Sequence, residues 1–94
     1  MAKMQTTITI TDVLPPGIIR DILVELKRAK EKHPEFPDRI VPMTAIMAEE
    51  AGEAIREANL IQFENAGTME QYEKELKQTA AMCIRILEIL EQNK

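Results

Sequence analysis

The chain has 94 residues, 45% hydrophobic and 30% charged, with two Phe, one Tyr, no Trp and one Cys, and a net charge of −4 from 12 basic and 16 acidic side chains. This is the composition of one small globular domain, and its acidic balance and scarce aromatics argue against binding to a nucleic acid polymer or an anionic membrane. No apolar run approaches the roughly 20 residues that span a bilayer, and no signal-peptide pattern opens the chain, so a soluble, cytoplasmic protein is expected.

The first 16 residues read as an extended arm, and residues 17 to 94 as a helical core. Within the arm, Gln5-Thr-Thr-Ile-Thr-Ile-Thr11 alternates polar and apolar β-branched residues, which suits a short strand. A lone strand must pack as an arm or pair with a copy from another subunit. Pro15, Pro16 and Gly17 break the chain, after which Ile18, Ile19, Ile22, Leu23, Leu26 and Ala29 recur at helical spacing up to about residue 32. The basic residues of this first long helix, Arg20, Lys27, Arg28, Lys30 and Lys32, form a solvated face or a phosphate contact.

The Pro-containing stretch from Lys32 to Asp38 is a loop, in which His33 reads as a surface or packing residue. A second helix is expected from near Pro42 to Glu64, closed by Asn65-Ala66-Gly67. Thr68 and Gln71 then supply a capping box for a third helix that runs through Gln92. The fold class is all-α: about three helices, the last two an antiparallel hairpin, with a short extended N-terminal arm. Cys83 lies in an apolar stretch and is expected to be a reduced, buried thiol.

The apolar periodicity is broken by acids. In the second helix Met43, Ile46, Met47, Ala54, Leu60 and Ile61 define one face, and Glu50, Glu53 and Glu57 fall inside it. In the third, Glu75 projects from within an apolar arc of about 220°, and Gln78 lies on its rim. With the turn near residue 66, the hairpin sets Glu53 beside Gln78 and Glu57 beside Glu75, with Glu50 about one turn away. Like charges gathered against a partner helix must protonate or find a cation. The hard oxygen donors favour Mg2+ or Mn2+, while a solvated seam or ion pairs across a subunit interface is the other reading. Glu49 and Arg56 point elsewhere, as an exposed charge pair or outer support.

Glu49-Glu50-Ala51-Gly52-Glu53 resembles the EExGE helix motif of the MazG-like nucleotide pyrophosphohydrolases, the all-α NTP pyrophosphatase superfamily. The second half of that pattern, ExxD, is matched by Glu75-Leu76-Lys77-Gln78, with Gln78 in the place of the aspartate. The Lys32-His33-Pro34-Glu35-Phe36-Pro37 stretch and the Ala80-Ala81-Met82-Cys83-Ile84-Arg85 run are similar to short phage and prophage members, so the likeness covers residues 18 to 92. The resemblance implies a helical bundle, a homodimer or homotetramer, that uses Mg2+ to split a nucleoside triphosphate into a monophosphate and pyrophosphate.

It further implies Glu50, Glu53 and Glu75 as metal ligands and catalytic carboxylates, with Gln78 contributing its carbonyl oxygen and Glu57 available to replace the lost charge. Lys27, Lys30 or Lys32 are candidates to meet the polyphosphate, and Phe36 or Phe63 to line a base pocket. The alternative function is a non-catalytic helical oligomer that binds nucleotide as a regulatory module. A chain this short with so wide an apolar arc on its third helix is expected to complete its bundle by oligomerisation.

Overall fold

A computed structural model describes residues 7 to 94. Four helices follow in order: α1 (Ile10–Val13), α2 (Pro16–Lys32), α3 (Ile40–Phe63) and α4 (Met69–Gln92). Among the described residues there is no strand, and the all-α expectation holds. Gln5 and Thr6 of the expected strand lie outside the described residues. Residues 7 to 9 are irregular, and Ile10–Val13 forms a single helical turn instead. With no neighbouring strand, the backbone closes its bonds locally: Leu14 N–H donates to Ile10 C=O and Asp12 N–H to Thr9 C=O, both at 2.9 Å.

Pro16 occupies the first turn of α2, where its missing N–H costs nothing. The helix ends where His33 N–H bonds the Ala29 carbonyl at 2.8 Å and Pro34 forbids continuation. Helix α3 starts slightly ahead of Pro42, which is accommodated within its first turn. After α3 the chain turns through Asn65 (φ 48°) and Gly67 (φ 75°), and Ala66 N–H reaches back to the Leu60 carbonyl at 2.9 Å. Thr68 then caps α4, its hydroxyl accepting from Gln71 N–H at 3.0 Å as the sequence predicts.

Helix α4 is the common partner, packing on α3 along the hairpin and on α2 across its other side. Ala81 at its middle is fully buried, and its small side chain lets the neighbouring helices approach. Leu26, Ala81 and Met82 form the core with Ile22, Ala29, Phe36, Ile46, Met47 and Ile84 packed around them. Cys83 corrects the expectation of a buried thiol: it is exposed, because α2 and α3 cover other faces of α4. Ile55, Phe63, Leu76 and Leu87 are also open on the single chain. No helix of the described residues is long and apolar enough to cross a membrane.

Candidate metal centre

Glu50 and Glu53 lie three residues apart on α3, so they project from one face, and the hairpin turn brings Glu75 of α4 against them. One carboxylate oxygen from each lies within 4.8 Å of the other two. Glu75 is only 8% exposed. Its Oε1 accepts a 2.6 Å hydrogen bond from Gln71 Nε2, while its Oε2 is buried without a partner. The Oε2 of half-buried Glu50 is buried and unpartnered too.

The electrostatics reflect this crowding. Burial raises the pKa of Glu50 above the ordinary 4.5, and Glu75, Glu49 and Glu25 add to the rise while Lys32 opposes it. Glu53 is also raised, first by the close approach of the Glu75 carboxylate and then by that residue's charge, with burial, Glu50 and Glu49 contributing less. Without a counter-ion the cluster relieves repulsion by holding a proton; a divalent cation would do so while also satisfying the two orphaned oxygens. An all-oxygen donor set fits Mg2+ or Mn2+ and offers nothing to a soft metal.

A cleft of about 260 Å³ opens from Glu50 between α2 and α4. Glu25, Arg28, Lys32 and His33 form its α2 wall, and Lys74 and Gln78 its α4 wall. Arg28, Lys32 and Lys74 thus share the cleft with the carboxylates of Glu25 and Glu50. Arg28 pairs with Glu25 Oε1 at 3.1 Å, and Gln78 Nε2 donates to Glu25 Oε2 at 3.4 Å.

The structure brings Glu50, Glu53 and Glu75 together and sets Gln78 in the adjoining cleft. It does not bring Glu57 to them. Glu53, one helical turn before Glu57, is the residue that meets Glu75. Glu57 Oε1 instead accepts from Thr68 N–H at 3.0 Å and is committed to the interhelical turn. Of the three lysine candidates only Lys32 lines the cleft. Lys30 is ion-paired to Glu88 at 2.8 Å, and Lys27 reaches toward Glu31 at 4.0 Å on the outer face of α2. Neither Phe candidate lines the cleft: Phe63 is 73% exposed and Phe36 packs against the core.

Three residues of this region escape the sequence reading. Glu25 interrupts the Ile18, Ile22, Ala29 stripe of α2, the same irregularity that exposes the glutamates of α3, and Lys74 carries no such signal. The third, Arg85, is 5% exposed and ties α4 to the end of α2. Its guanidinium donates to His33 C=O at 2.7 Å and Ala29 C=O at 3.4 Å and lies 4.4 Å from the centre of the Phe36 ring. It thus satisfies the His33 carbonyl that the end of the helix leaves open and ties the α2 wall of the cleft to α4.

Comparison with protein-family models, with curated proteins and with solved structures gives no match to this chain.

Proposed function

We propose that the chain is a Mg2+-dependent nucleoside triphosphate pyrophosphohydrolase of the MazG-like kind, converting a triphosphate and water to a monophosphate and pyrophosphate in a nucleotide-pool role. The observation that carries this reading is the convergence of Glu50, Glu53 and Glu75, with the buried Oε2 atoms of Glu50 and Glu75 lacking any partner. These three side chains would hold the cation, with Mn2+ as a substitute. When bound there, such a cation would neutralise phosphate charge and lower the pKa of water.

The chain's own groups supply the rest. Arg28, Lys32 and Lys74 on the cleft rim attract and orient the polyphosphate. Glu53 is the most open carboxylate of the three and the one a water can reach. Glu53 orients a water toward the α-phosphorus and takes its proton as the bond to the bridging oxygen breaks and pyrophosphate departs. The exposed apolar side chains of α3 and α4 support a homodimer or homotetramer as the working form.

One residue favours the alternative, a non-catalytic nucleotide-binding module. Gln78 presents an amide where a carboxylate would add charge, and that amide is turned toward Glu25. A panel of nucleoside triphosphates incubated with Mg2+ or Mn2+ separates the two. Pyrophosphate release lost in Glu53→Gln is expected, whereas nucleotide binding without release from any member would leave the module in place of the enzyme.

A further inference from the structure

The cluster and the cleft differ in what each helix contributes. Helix α3 supplies Glu50 and Glu53, and α4 supplies Glu75, but one turn further along α4 the cleft receives only the neutral amide of Gln78. Directly across the cleft, α2 supplies a carboxylate in a position where a solvated side chain is the ordinary choice. The Glu25 side chain is 14% exposed, whereas its ion-pair partner Arg28 is 67% exposed. Its second oxygen is met by Gln78 Nε2 at 3.4 Å, a long bond that holds the carboxylate without saturating it. Glu25 lines the same cleft as Glu50.

The ion-pair partner of Glu25, Arg28, stands largely in solvent, so a cation held in common with Glu50 would be a less screened counter-charge for this half-buried acid. The cluster shows independently that it lacks such a partner, because the nine-tenths buried Glu75 keeps an orphaned Oε2. We propose that Glu25 is a further carboxylate of the cation centre, supplying from α2 the negative charge that α4 does not supply at position 78, with Gln78 as its positioning residue. The inference rests on the metal reading above and adds a residue from a third helix to it.

The test is titration with Mn2+ alone, following the free ion by electron paramagnetic resonance, with circular dichroism confirming that each variant is folded. Glu25→Gln is expected to weaken Mn2+ binding roughly tenfold. The double variant Glu25→Gln with Gln78→Asp, which moves the charge back to α4, recovers most of that loss. Glu31→Gln, an acid on another face of α2, changes affinity by less than about twofold. Gln78→Ala weakens binding in the native background and adds nothing to Glu25→Gln. Native-like affinity in Glu25→Gln overturns the inference while leaving the three-glutamate centre standing, as does a double variant no tighter than the single. A native chain that binds no Mn2+ overturns the inference and the metal reading together.

Discussion

Arg85 and the glutamates illustrate how unevenly side chains announce themselves. Glu50, Glu53 and Glu75 are legible because each interrupts an apolar stripe, and a charge in such a place needs a partner. Arg85 also sits among apolar neighbours, but its role depends on where α2 ends, on two carbonyls and on a Phe ring from the loop, which no periodicity reports. Arg85→Met removes the guanidinium donors and leaves the His33 carbonyl without its partner, so a loss of about 1 to 3 kcal/mol is expected, lowering Tm by on the order of 10 °C in thermal unfolding. A Tm within a degree or two of native would show that these bonds contribute little.

The raised acids also set a pH dependence. Between the ordinary carboxylate value of 4.5 and their raised values, Glu50 and Glu53 keep protons in the folded chain that the unfolded chain has released. Stability therefore declines as pH rises through that window. Asp21 acts in the opposite sense: Lys77 and Arg20 hold it below 3.8, so its contribution is present above that value and is lost as pH falls further. Thermal melts without divalent ions are expected to show the decline, Glu53→Gln to flatten it, and Mg2+ to offset it near neutrality. A Tm that rises steadily through the same window would contradict this assignment.

At the scale of elements, the hairpin decides which acids meet. The prolines, the Thr68 cap and the Asn-Ala-Gly connection made three long helices legible, but not their register to within a turn. That register depends on the left-handed residue Asn65 and on the Glu57 carboxylate, which reaches over the turn to Thr68 N–H. The alternation of β-branched residues in the arm was a weaker guide, since strand propensity has no effect without a partner strand. Gly67 has a specific task here: at φ 75° an added Cβ would also come within 2.5 Å of Glu57 Oε1. Gly67→Ala is expected to cost about 1 to 2 kcal/mol, read in denaturant unfolding, and to weaken Mn2+ binding by disturbing the register of Glu53 against Glu75. Unchanged stability would mean that the turn tolerates a rearrangement.

For the whole molecule, the balance of apolar surface matters most. Five hydrophobic residues are buried among those described, whereas fourteen large ones are exposed, including Ile55, Phe63 and Leu87. The radius of gyration, 15.8 Å, exceeds the roughly 13 Å of a compact chain of similar length. A wide apolar arc on the last helix was readable from the sequence, and α2 and α3 leave part of it open. Sedimentation is expected to show a species larger than the monomer, shifted toward monomer by Leu87→Glu, whose side chain is 63% exposed in the single chain. A native chain that sediments as a monomer at all concentrations would contradict that expectation.

We propose that three carboxylates from α3 and α4 support cleavage of a phosphoanhydride. Phosphorus magnetic resonance of a nucleoside triphosphate incubated with the protein and Mg2+ tests it most directly, because the products reveal which bond is cut. Monophosphate and pyrophosphate are expected from the native chain and intact triphosphate from Glu75→Gln. An unchanged triphosphate with the native protein, or the same products at the same rate from Glu75→Gln, would contradict it.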